Sequence, residues 1–264
     1  MPSSNLSTNS TYLNKINNVS IKTSFWLVTV TCLLLWNTPI AATLLLPVSY
    51  IVTMIHELSH AIACIATGGQ VSGLKIVSDG LGHGGLTFCS GGNPWIYTPA
   101  GYIGTTLVGC ILLFFSQFKL IARILLFLIG VSVILAALFL SSQSIFAPGM
   151  LIQAIQSIIV ELIMGGAFIF SSIKLNDKMA NLLLMFLCIQ IILNSFTDLT
   201  VLFQISTFTN TNTFSDATNM AKISGISPAF WSIIWALISI ITLWLTLKIS
   251  YLKSPKPKIT TTKH

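Results

Sequence analysis

Residues 51–69 read Ile51-Val52-Thr53-Met54-Ile55-His56-Glu57-Leu58-Ser59-His60-Ala61-Ile62-Ala63-Cys64-Ile65-Ala66-Thr67-Gly68-Gly69. The run is helical in character and almost wholly apolar, yet it carries two histidines and a glutamate, and it stops at paired glycines. No residue is charged between Thr23 and Ile55 upstream of it. Across the 264 residues, charged side chains make up only 7%, against 54% apolar, and the mean hydropathy is +0.87. Soluble globular domains carry roughly 25% charged residues, so a cytosolic enzyme or ordinary secreted domain is excluded. The ruler for such a chain is the bilayer, at about 20 apolar residues per helical span.

Read outward from that stretch, the chain is an all-α polytopic membrane protein with six to seven transmembrane helices. Spans are expected at about 23–38, 41–66, 97–115, 120–140, 149–171, 179–205 and 229–250, the first of them short. Asn37-Thr38-Pro39 separates the first two, because a residue before proline is pushed out of the helical region. Between the second and third spans, residues 68–95 hold nine of the 17 glycines. Val71–Val77 and Leu86–Cys89 flank the glycines as β-like pieces, which predicts a small hairpin at or dipping into the membrane surface. Residues 1–22 form a polar arm rich in Ser, Thr and Asn. Residues 23–250 form one membrane-embedded domain, and 251–264 a basic tail.

The net charge of +7 comes from lysines scattered through loops and the tail, a pattern of topology signals with no nucleic acid implied. Lys119/Arg123, Lys174/Lys178 and the tail lysines fall on one side by span parity, and the positive-inside rule makes that side cytoplasmic. Lys15 and Lys22 vote the other way unless the first segment is re-entrant, leaving six spans. The five cysteines are odd in number and irregularly spaced; all but Cys89 lie in apolar runs, and they read as small packing residues with no disulfide framework.

With six acidic residues in the chain, each can be weighed. Asp79, Asp177 and Asp216 sit in connecting segments, whereas Glu57, Glu161 and Asp198 lie in apolar runs. An ionisable group at membrane depth costs several kcal/mol unless paired or coordinated, and is a functional candidate by default. In His56-Glu57-Leu58-Ser59-His60, helical spacing i, i+4 puts both imidazoles on one face, where they can hold one Zn²⁺. Glu57 follows His56 by about 100° round the helix, close enough to take a proton from an attacking water. Two histidines need at least one more protein ligand. Asp198 is the favoured choice, with Asn194 one turn earlier facing the same cavity. Asp216 and His83 are the rivals. Asp216 follows Ser215 at the start of a short helix, where N-capping accounts for it, and His83 sits among loop glycines. Glu161 has no identifiable partner and no assigned role.

These residues resemble the site-2 protease family of intramembrane zinc metallopeptidases, in its divergent compact bacterial and plant branch. The resemblance rests on His56-Glu57-Leu58-Ser59-His60-Ala61, Thr67-Gly68-Gly69, Pro99-Ala100-Gly101-Tyr102-Ile103-Gly104, Asn194 through Asp198, Ser215-Asp216-Ala217 and Ile226-Ser227-Pro228 with Trp231, in that order. It implies that His56 and His60 bind zinc, that Glu57 is the general base, and that Asp198 and Asn194 match the family's distal aspartate ligand and the asparagine before it. Better-studied members place a proline between those two and a glycine after the aspartate; here the segment is Asn194-Ser195-Phe196-Thr197-Asp198-Leu199. The implied function is zinc-dependent hydrolysis of a peptide bond in or near a transmembrane segment of another membrane protein, within the lipid bilayer of a bacterial cytoplasmic membrane. A substrate helix must be unwound first, and an exposed edge of the hairpin could hold it extended by β-addition. Two other classes fit parts of the pattern: a non-catalytic binding or assembly protein that keeps the zinc site, and a metal or solute transporter.

Overall fold

With no water in the hydrocarbon region, backbone N–H and C=O groups must bond within their own segment, so the long apolar runs become helices. A computed structural model describes residues 21–35, 38, 45–76, 84–139, 141–146, 151–208 and 214–252. Helix α1 (Ile21–Leu35) is followed by α2 (Leu46–Ala66), the strands β1 (Gln70–Ile76) and β2 (Gly85–Ser90), and α3 (Pro94–Phe115). Then come α4 (Lys119–Phe139), a 3₁₀ turn (Ser141–Phe146), α5 (Leu151–Lys174), α6 (Asp177–Phe208), α7 (Asp216–Ser224) and α8 (Pro228–Leu247), which ends in a π turn (Lys248–Leu252).

Six of these helices, α2 to α6 and α8, are long and apolar enough to cross a membrane. Among the described residues this matches the lower of the two expected span counts. At 15 residues, α1 rises about 22 Å, short of a hydrocarbon core about 30 Å thick. Its Phe25 stacks on Tyr251 at 4.1 Å between ring centroids, and the Tyr251 hydroxyl lies 3.0 Å from Ser116 Oγ. The start of α1, and Lys22 with it, thus joins the end of the bundle where α3 stops and α4 begins. Residues 1–20 of the polar arm, residues 253–264 of the basic tail, Asp79 and His83 lie outside the described residues.

The hairpin forms where it was expected, between α2 and α3. β1 and β2 pair antiparallel from Gln70↔Ser90 to Ile76↔Gly85, with a bulge between Val71 and Gly73. Two clamps bring its ends back to α2. The Asn93 N–H donates to Thr67 Oγ1 at 3.0 Å, and Cys64 in the last turn of α2 is disulfide-bonded to Cys89 of β2. This corrects the expectation that all cysteines are unpaired. The two are 25 residues apart in sequence, but the strands return the chain to the helix it left, with Cα atoms 6.1 Å apart. Cys32, Cys110 and Cys188 are free and buried.

Polarity is turned inside out, as a bilayer requires. Ile152, Ile163, Phe170 and Ile173 of α5 are exposed, while Thr106, Ser195 and Ser239 are buried where α3, α6 and α8 meet. Thr106 Oγ1 lies 2.7 Å from Ser195 Oγ and 3.1 Å from Ser239 Oγ. Bonds of this kind are worth about 0.6 kcal/mol on average in a membrane, enough to set helix register. Glu161 is fully buried on α5 and accepts a bond from Ser141 Oγ at 3.0 Å, a partner supplied by the 3₁₀ turn.

Candidate metal centre

Helix α2 delivers the first two donors. His56 and His60 stand on one face of it, their Nε2 atoms 3.0 Å apart. The third donor comes from the connection between α6 and α8. Ser215 caps α7, its Oγ accepting from the Thr218 N–H at 3.1 Å, so the cap is already filled and the carboxylate of Asp216 is free to turn inward. Asp216 Oδ2 lies 3.3 Å from His56 Nε2 and 3.2 Å from His60 Nε2. Burial works against a charge on Asp216, but the two imidazoles, His60 ahead of His56, outweigh it and hold the carboxyl below the usual carboxylate range.

Of the two aspartates, the structure brings Asp216 within 3.3 Å of both imidazoles. Asp198 lines the same cavity from α6 but stands outside the trio; among the described residues the cluster able to hold a metal is His56, His60 and Asp216. The physical reason is that Ser215, and not Asp216, caps α7, leaving the aspartate side chain available. Asn194 is buried below the cavity: its amide donates to the Gln190 carbonyl at 2.8 Å, and Ser49 of α2 donates to its Oδ1 at 3.4 Å. It links α6 to α2.

The trio fits a zinc ion. Its edges of 3.0, 3.2 and 3.3 Å match the spacing of about 3.3 Å between tetrahedral ligands held about 2.0–2.1 Å from the metal. Two neutral nitrogens and one carboxylate are also a common donor set for that ion. His60 is fixed for the task by its other nitrogen, as Nδ1 donates to the Tyr97 carbonyl at 2.6 Å and leaves the Nε2 lone pair facing inward. The Tyr102 ring stands edge-on to His56 at 4.6 Å.

Two glycines, neither singled out by spacing arguments, make the closeness of these elements possible. Gly101 of α3 lies directly against the imidazoles, and a β-carbon there would clash with Nε2 of both His56 and His60. Gly85 of β2 plays the same part for Glu57, whose carboxylate occupies the space a β-carbon would need. Glu57 is buried, with Oε2 accepting from Thr87 Oγ1 of β2 at 2.7 Å. The residues surround a cavity of about 420 Å³, which the β2 residues Gly85, Leu86 and Thr87 line on one side and Val201, Leu202 and Ile205 of α6 on the other.

The family model described as Peptidase M50B-like matches residues 25–246. No curated protein and no solved structure matches the chain. The family match covers every helix that carries a donor, and a six-span bundle around an H-E-x-x-H is the setting a membrane peptidase needs: by this match the chain belongs to the Peptidase M50B-like family, and so to the site-2 proteases.

Proposed function

We propose that the protein is an intramembrane zinc metalloendopeptidase that cuts a peptide bond in or near a transmembrane segment of another membrane protein in a bacterial cytoplasmic membrane. The observation that carries this reading is the convergence of His56, His60 and Asp216 at one point of a cavity that Glu57 also lines. A transporter needs ligands, but it has no use for a buried carboxylate beside them that is braced by a separate hydroxyl.

When bound, zinc polarises the scissile carbonyl and activates the attacking water. Glu57 takes the water's proton and passes it to the leaving nitrogen. Thr87 holds one carboxylate oxygen of Glu57, and the other lies against Gly85. Tyr97 keeps His60 in the required tautomer, and Tyr102 packs against His56. Among the described residues the sheet has two strands, and residues of β2 line the cavity, so an extended substrate can lie beside β2 with its backbone bonds satisfied.

The test is cleavage of single-span substrates by the purified protein in liposomes. Chelation is expected to remove activity, and one equivalent of zinc to restore it. Cleavage that continues unchanged in the fully chelated protein overturns the proposal.

A further inference from the structure

Glu57 and Cys64 stand two turns apart on one face of α2, about 10 Å from each other along the helix. Strand β2 runs beside that face and presents Gly85, Thr87 and Cys89 to it, since alternate residues of a strand share a side. Each of the three meets α2. Gly85 lies against the Glu57 carboxylate, Thr87 Oγ1 donates to Glu57 Oε2 at 2.7 Å, and Cys89 is disulfide-bonded to Cys64. The bond thus anchors the same strand face that braces the proposed base. Its two sulfurs differ in access. Cys64 is fully buried, whereas Cys89 is half-buried and lines the cavity of the metal centre. Disulfides that a reductant can reach are the exchangeable ones.

We propose that Cys64–Cys89 is a thiol–disulfide exchange site, reached by dithiols through the cavity, and that its bond is a latch setting how firmly β2 holds Glu57. The regulated activity rests on the protease reading; the exchange itself does not. One thiolate of the dithiol attacks Cys89 Sγ and forms a mixed disulfide. The Cys64–Cys89 bond breaks, and its electron pair leaves on Cys64 Sγ, which takes up a proton. The second thiolate of the dithiol then attacks its partner sulfur, and Cys89 leaves as a thiol. Two electrons and two protons pass to the protein, and the dithiol ends as a disulfide. A small disulfide reverses the step and is itself reduced to two thiols. After reduction, two hydrogen bonds still hold the entry and exit of the hairpin: Gly69 N–H to the Cys64 carbonyl at 2.9 Å, and Asn93 N–H to Thr67 Oγ1 at 3.0 Å. Strand β2 therefore loosens without leaving. His56, His60 and Asp216 sit on α2 and α7, outside the hairpin, so the latch acts on the base and spares the metal site.

The test uses the full chain in liposomes, treated with oxidised glutathione, then dithiothreitol, then oxidised glutathione again, each reagent being removed before measurement. A maleimide gel shift on denatured samples is expected to count three thiols, then five, then three. Hydrogen exchange at residues 85–90 should quicken by about tenfold or more on reduction, reporting local opening, while exchange at residues 56–60 holds. Zinc content should not change. Cleavage of a single-span substrate should fall by about tenfold, less than the roughly 100-fold that a misplacement of about 1 Å costs, and should return on reoxidation. The double variant Cys64→Ser/Cys89→Ser is expected to cut at the reduced rate and to respond to neither reagent. Five thiols in the first sample overturn the proposal, as does unchanged exchange at 85–90 once five are counted. Loss of zinc in step with activity overturns it too, as does a double variant whose cleavage still responds to dithiothreitol. Exchange that responds as expected in a chain that never cuts overturns the protease reading alone.

Discussion

Asp216→Ala is expected to lower the zinc affinity of the purified protein by more than about 100-fold, whereas Asp198→Ala lowers it by less than about tenfold. Losing a group that merely supports a ligand costs about 10–100-fold in metal affinity, so a lost ligand should exceed that range. Asp216 Oδ2 is 3.3 and 3.2 Å from the two imidazole nitrogens, completing the three-donor cluster. Asp198 lines the cavity from α6 without entering the cluster. Competition of each variant against a chelator of known affinity measures both numbers. The reverse order would make Asp198 the ligand and Asp216 a bystander.

Gly101→Ala is expected to abolish both zinc binding and cleavage, although it adds only a single methyl group. The new β-carbon would overlap both Nε2 atoms. Relief requires α3 to back away from α2 or both rings to rotate. Moving α3 also carries off the Tyr97 carbonyl that orients His60. A misplacement of about 1 Å at a reacting centre is enough to cost about 100-fold in rate. Gly166→Ala on α5 is the control, because a β-carbon there meets nothing within 4 Å. It should keep full zinc content and activity. Equal zinc in the two variants would show that α3 yields easily and that the tight approach is not needed.

The helices and the hairpin were legible because membrane spans and glycine-rich turns write themselves into composition. The H-E-x-x-H was equally plain, since its three polar residues stand in an apolar run. The closeness of Asp216 to the two imidazoles was not, because Asp198 shares an apolar helix with Asn194 and so looks like a site residue, while Asp216 has an ordinary explanation in helix capping. The usable signal was that Ser215 already fills the cap, which leaves the aspartate without a local role. The Cys64–Cys89 bond was hidden for a different reason: it depends on the strands folding back to the end of α2, and residue spacing does not show that. Glu161 reads as an orphan in sequence because its partner Ser141 lies 20 residues away in a 3₁₀ turn. Gly85 and Gly101 matter through what presses against them, a property of packing that composition does not carry.

The most direct measurement of the central claim compares wild type with Glu57→Gln in liposomes that hold a single-span substrate, with zinc content measured on the same samples. Glu57→Gln keeps nearly the same shape and can still pair with Thr87, but it cannot accept the proton. The expected result is one zinc per chain in both proteins and a loss of about 10²–10⁴-fold in cleavage rate for the variant. Equal cleavage by both proteins at equal zinc content would contradict Glu57 as the base, and with it the proposed peptidase mechanism.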